Sequence, residues 1–300
     1  MSDIKLFQHV GSSLVELGSS SAPLERSLQT KFENNLETLL GVRFLASEYT
    51  TSNGGRMDTL GIDENGYPVI IEYKRDRSEN VINQGLFYLD WLMDHRGDFE
   101  LLVRDKYDKA TADAVEWSAP RLICVAADFS KFDAHAVKQM SRNIELIRYR
   151  QFGDDLLMLD LLTTVSTKPI RIAEPVKGKA QRYKTNAQSL ADANVTLTNL
   201  YSDIESYMIG LGDDVVQKEL QNYFAFKRIK NFACIEVKPQ INVIRLYLKV
   251  DPSTVSMEAG YTRDVSSVGH FGTGDLEVTV STHEDFERAK DLIVRSYDAS

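Results

Sequence analysis

The chain has 300 residues, 43% hydrophobic and 26% charged, with a net charge of −9, long and apolar enough for two domains with cores of their own. That acidity argues against a protein that coats nucleic acid indiscriminately, because such binding rests on Lys and Arg neutralising phosphates, while leaving room for a local basic groove. No secretory leader opens the sequence, no stretch approaches the roughly 20 apolar residues that span a bilayer, and Cys124 and Cys234 sit in apolar runs as reduced, buried small side chains, so a cytoplasmic protein with no membrane partner is expected.

At the start, Ile4–Phe7 and Leu14–Leu17 around Gly11-Ser12-Ser13 read as a small hairpin, and Ser19-Ser20-Ser21 as a linker. From Pro23, residues Leu24, Leu28, Phe32, Leu36, Leu39 and Leu40 fall at helical spacing, with Glu25, Gln29, Glu33 and Glu37 along the same helix. Val42–Leu45 is a strand that leads into Thr50–Gly55, a loop of Thr, Ser, Asn and Gly. Gly54-Gly55 reads as plain loop or as a point of close approach by a substrate backbone, and Arg56 as a phosphate contact or half of a surface ion pair.

The most informative stretch follows. Arg56–Asp63 and Tyr67–Lys74 are strand-forming runs separated by Glu64-Asn65-Gly66, a hairpin signal. With Gly66 left-handed in a three-residue loop, Asp63 faces Tyr67 and Asp58 faces Glu72, while Lys74 returns to the face of Glu72 two residues on. Val69-Ile70-Ile71 is apolar on both faces, which places the second strand near the centre of a covered sheet. Carboxylates are costly there unless a cation compensates them, and hard oxygen ligands of this kind suit Mg²⁺ or Mn²⁺.

Asp58 followed across a hairpin by Glu72-Tyr73-Lys74 resembles the core of the PD-(D/E)XK nuclease superfamily, and its surroundings are similar to NucS-type and RecB-type members; Met57 stands where many members have proline. The resemblance implies a restriction-endonuclease-like α/β fold and hydrolysis of DNA phosphodiester bonds. It also implies that Asp58 and Glu72, with the Tyr73 carbonyl, hold Mg²⁺ or Mn²⁺, and that Lys74 positions and helps deprotonate the attacking water. In such proteins a preceding helix often adds a glutamate, a pattern that Leu24-Glu25-x-x-Leu28-Gln29 matches at Glu25, with Glu33 second. The alternative is a nuclease scaffold that binds nucleic acid or regulates without cleaving. DNA is the implied partner, with room left for a homodimer.

Beyond Lys74, Ser78 reads as the N-cap of a helix over Glu79–Asp94, on which Gln84 and Tyr88 share a face at i, i+4. That pair resembles the Q-x-x-x-Y motif of RecB-like nucleases and implies nucleic-acid contact. The expected sequel is strand Phe99–Val103, helix Tyr107–Trp117, strand Arg121–Ala127, helix Phe132–Met140 and strands Ile144–Arg150 and Leu156–Leu162, an α/β domain over residues 1–167 with a mixed central sheet flanked by helices. His95 and His135 lack ligand spacing, and no P-loop, nucleophile elbow or zinc pattern occurs.

Residues 168–194 read as a basic linker. A smaller α+β domain over 195–300 is expected to hold helices Leu197–Leu211 and Val215–Phe224, strands Ala233–Val237, Val243–Val250 and Leu276–Val280, and helix His283–Tyr297. It resembles a domain of unknown function found at the C-terminus of such nuclease-like proteins, through Tyr223–Lys227, Asn231–Ala233 and Gly269–Asp275. Its interleaved aromatics and bases from Tyr223 to Phe232 read as a stacking surface for single strands or as half core, half surface, and His270 as an alternative binding residue.

Overall fold

A computed structural model describes residues 4–22, 24–77, 80–165 and 184–300. The chain divides into two units, Met1–Ile170 and Arg171–Ser300. In the first, β1 (Leu6–Val10) and β2 (Ser13–Leu17) form the expected hairpin, and β3 (Ser19–Ser20) follows. Next come α1 (Glu25–Glu33), α2 (Leu36–Leu40), β4 (Val42–Thr50), β5 (Arg56–Asp63), β6 (Pro68–Arg77), α3 (Val81–Asp94), α4 (Arg96–Lys106), α5 (Lys109–Asp113), β7 (Arg121–Asp128), α6 (Lys131–Lys138), β8 (Asn143–Phe152) and β9 (Leu156–Val165).

The larger sheet is mixed, as expected. Its order is β3-β8-β7-β6-β5-β4, with β9 also paired to β8. Strands β6, β7 and β8 run parallel through helical crossovers, and β4–β5–β6 is an antiparallel meander. Central β6 carries Val69, Ile70 and Ile71 with no exposed surface, the burial that its doubly apolar run required.

Three expectations give way here. The predicted strand Phe99–Val103 lies inside helix α4, where Phe99 and Val103, one helical turn apart, point inward and Leu101 stays exposed. The helix predicted over Tyr107–Trp117 is the short α5, started by Asp108, whose carboxylate accepts from the Thr111 backbone N–H. Ser19-Ser20 pairs with Gln151 and Phe152 as strand β3, not as linker. The Ser78 cap and the linker residues up to 183 lie outside the described residues.

The second unit holds α7 (Asn186–Ala191), α8 (Val195–Ile209), β10 (Val216–Glu219), β11 (Phe224–Lys227), β12 (Asn231–Lys238), β13 (Val243–Leu248), β14 (Thr262–Asp264), β15 (Leu276–Val280) and α9 (His283–Asp298). These strands make an antiparallel sheet in the order β10-β11-β12-β13-β15-β14. Apolar side chains of α8 and α9 share one core with it.

Helix α7 is part of this unit, because the Asn186 amide donates to Ile235 O (3.0 Å) and accepts from Val237 N (2.8 Å); the linker expected to run to 194 therefore stops short of it. The helix predicted over Val215–Phe224 is instead β10, a turn and the start of β11. Phe224, Phe226 and Phe232 lie in the core, so they offer no stacking surface. His270 stacks on Tyr247 at 4.5 Å between ring centres.

Candidate active site

Turn chemistry sets the site. Gly66 has φ +81°, Gly66 N donates to Asp63 O at 3.0 Å and Asp63 N to Tyr67 O at 2.9 Å, which closes the three-residue loop predicted from sequence. The Asp63 carboxylate accepts from Asn65 N and Tyr67 N (2.9 Å each) and from Arg121 Nη1 (2.8 Å), and Arg121 in turn grips Glu145. This buried trio ties β5, β7 and β8 together beside the turn and resists slippage, because each charge is hydrogen-bonded.

From that anchor the register runs Ile62↔Pro68, Gly61↔Val69, Leu60↔Ile70 and Thr59↔Ile71. The ladder ends there, and one step further, at Asp58 and Glu72, side chains take over from it. Asp58 N donates to Glu72 Oε1 at 3.2 Å, and Tyr73 N donates to Asp58 Oδ2 at 3.0 Å. Alternation puts Asp58, Glu72 and Lys74 on the face of Leu60 and Ile70, which share a core with α3. Tyr73 turns the other way, its ring 5.4 Å from Phe32 of α1.

Glu72 is fully buried, and its Oε2 has no hydrogen-bond partner. Burial, then the Asp58 charge, push its carboxyl up to about 9, against the Asp58 N–H and Lys74, which act to lower it. Burial also raises Asp58, helped by the charges of Glu25 and Glu48 and opposed by the Tyr73 N–H and Lys74. Burial works against the Lys74 ammonium, but the hydrogen bond from Lys74 Nζ to Glu25 Oε1 (3.0 Å) and the surrounding carboxylates outweigh it, and its pKa lies above the ordinary lysine value.

Glu25 thus reaches the site through Lys74, with its other oxygen accepting from Arg75 N at 3.2 Å. Among the described residues no three His, Cys, Asp or Glu side chains stand close enough together to hold a metal ion. A two-carboxylate site is still compatible with Mg²⁺, which keeps most of its coordination shell as water. The orphaned Glu72 oxygen and the hard oxygen donors fit such an ion.

Sequence reasoning missed what holds α1 in place. Gln29, 4% exposed, donates through Nε2 to Asp58 O (2.8 Å), Glu33 Oε1 (3.0 Å) and Ser47 Oγ (3.2 Å). Glu33 also accepts from Thr59 Oγ1 at 2.7 Å, so it is a strut between α1 and β5. A glutamine among the helix's inward apolar positions was the available signal.

Gln84 and Tyr88 share one face of α3 as predicted, and Gln84 Nε2 donates to the Tyr88 hydroxyl at 3.1 Å. Tyr88 is buried and lies where a Cβ on Gly55 would fall, 2.4 Å from its Cε1. The close approach at Gly55 is therefore the protein's own. Arg56 makes an ion pair with Glu48 (2.6 Å).

Comparison with known proteins adds relatives of limited reach. Residues 187–300 match the model of a domain of unknown function, DUF5655, in keeping with the resemblance seen in the sequence. An uncharacterized protein of Haemophilus influenzae is 28% identical over 299 residues, 97% of this chain and 98% of that one. Among solved structures, a repair endonuclease from Pyrococcus abyssi is 17% identical over 42% of this chain and 48% of its own, with a TM-score of 0.29. EndoMS bound to double-stranded DNA gives 20% identity and a TM-score of 0.26 over 41% of this chain and 44% of its own. EndoMS in its apo form gives 18% and 0.25 over 45% and 49%. The chain spans about half the length of these endonucleases, and at such TM-scores the overlap carries no argument of its own.

Proposed function

We propose that the chain is a metal-dependent deoxyribonuclease that hydrolyses phosphodiester bonds at the Asp58–Glu72–Lys74 cluster. The observation that carries this reading is the carboxylate pair, Glu72 fully buried with its Oε2 lacking a partner and Asp58 half-buried against it, with a lysine held beside them. An apolar side chain would pack at position 72 at lower cost, so a buried acid with an unpartnered oxygen beside a second carboxylate points to a cation that displaces its proton.

Asp58 and Glu72, with the Tyr73 carbonyl, would hold Mg²⁺ or Mn²⁺. When bound, such an ion polarises the phosphoryl group and lowers the pKa of water. Glu25 keeps Lys74 protonated, so Lys74 orients the attacking water and stabilises the charge developing on the phosphoryl oxygens. That role differs from the share in deprotonation expected from sequence, since an ammonium with a raised pKa does not accept a proton. Arg56 and Gln84 would meet the DNA, while Tyr88, expected from sequence to do so as well, is buried and holds Gln84 through its hydroxyl.

The test is cleavage of labelled duplex, branched, mismatched and single-stranded DNA with Mg²⁺ or Mn²⁺ against chelator. Cleavage should require the metal and be lost in Asp58→Ala and Lys74→Ala. Cleavage that survives either substitution sinks the assignment, and metal-independent DNA binding unaffected by Asp58→Ala supports a non-cleaving scaffold instead.

A further inference from the structure

Glu48 has φ +54° inside strand β4. Besides Asn242, a residue type that tolerates this conformation, it is the only non-glycine at positive φ among the described residues. A left-handed glutamate within a strand is strained, and such strain persists where the surroundings require that side chain.

The Glu48 carboxylate is recessed, 23% exposed, and bridges two exposed arginines from different elements. Arg26 Nη1 of α1 lies 3.1 Å from its Oε1, and Arg56 Nε of β5 lies 2.6 Å from its Oε2, with the arginine side chains 68% and 65% exposed. Ion pairs this exposed contribute little to stability and do not account for the backbone conformation. Arg26 adjoins Glu25, and Arg56 precedes Asp58 by two residues, the interval at which a strand returns to one face. Each arginine keeps the rest of its donor fork free of side-chain partners among the described residues, in the geometry that binds phosphate oxygens.

We propose that Glu48 is a positioning residue that holds Arg26 and Arg56 together as a cradle for one backbone phosphate of DNA. The choice of DNA as the polyanion rests on the nuclease reading above. Two guanidiniums on one carboxylate leave a net positive patch beside an acidic site that would otherwise repel the substrate.

The experiment measures binding of the full chain to a labelled DNA duplex in chelator, across a salt series, with melting temperatures recorded alongside. Arg26→Ala and Arg56→Ala should each weaken binding about tenfold, as loss of a charge-assisted contact does, and lower the salt slope by about one. Glu48→Gly should also weaken binding although it removes a negative charge, while melting no lower than wild type because glycine takes this φ without strain. Glu48→Gln, which keeps the side-chain shape, should weaken binding too.

Equal or tighter binding by both Glu48 variants, which charge alone predicts, overturns the cradle, as does an unchanged salt slope in the arginine variants. Cleavage by wild type with Mg²⁺ separates the two readings. Cleavage alongside unaltered affinity in the Glu48 variants removes the cradle alone. Binding without cleavage removes the nuclease reading and leaves affinity to judge the cradle, and no DNA binding at all removes both.

Discussion

Glu72 is held neutral through physiological pH by its burial, and this has a consequence for stability. Its carboxyl rises from an ordinary 4.5 to about 9 on folding, so between those values the folded chain binds a proton that the unfolded chain has released. Stability from this group is therefore complete below about pH 4.5 and is lost as pH rises towards 9, by at most about 1.4 kcal/mol per pH unit. Glu72→Gln should remove the loss: in chelator its melting temperature gains on wild type as pH goes from 5 to 8.5, and parallel curves would refute the burial argument. At this scale Asp58, Glu72 and Lys74 were legible in the sequence because a glycine turn and a period of two fix which side chains meet. Gln29 and Glu48 were not, since their partners depend on where α1 docks and on a backbone torsion that no composition rule assigns to glutamate.

Helix α1 is held to the sheet by a polar strut, and that strut positions Glu25 against Lys74. Gln29→Leu would leave the Asp58 carbonyl and the Glu33 carboxylate short of a buried donor, at a cost of about 1–3 kcal/mol. Denaturant unfolding should show that loss, and any DNA cleavage should fall with it because Lys74 loses its anchor; unchanged stability would mean that the Gln29 bonds are replaced by water. Elements with one dominant signal were readable, such as the hairpin, α3 and the central β6. Phe99–Val103 was misread because Glu100-Leu101-Leu102-Val103 mimics a strand, whereas burial of Phe99 and Val103 alone shows the helical period. The Val215–Phe224 error went the other way: Gln217, Lys218 and Glu219 favour a helix locally, but pairing with β11 recruits them as the sheet's last strand.

Over the whole molecule, an acidic chain of net charge −9 brings the residues of the proposed site together at one end of one hairpin. The second unit, read correctly as α+β from its hydrophobic periods, buries Phe224, Phe226 and Phe232, three of the aromatics that the sequence offered as a stacking surface. The nuclease reading stands on a divalent cation between Asp58 and Glu72, and calorimetric titration of Mn²⁺ into the full chain at pH 7.5, in two buffers of different ionisation enthalpy, tests it most directly. One ion should bind per chain with release of a proton, because burial keeps Glu72 protonated until the metal displaces it, and Asp58→Ala should abolish the heat. No binding by wild type, or binding unchanged in Asp58→Ala, would contradict the assignment.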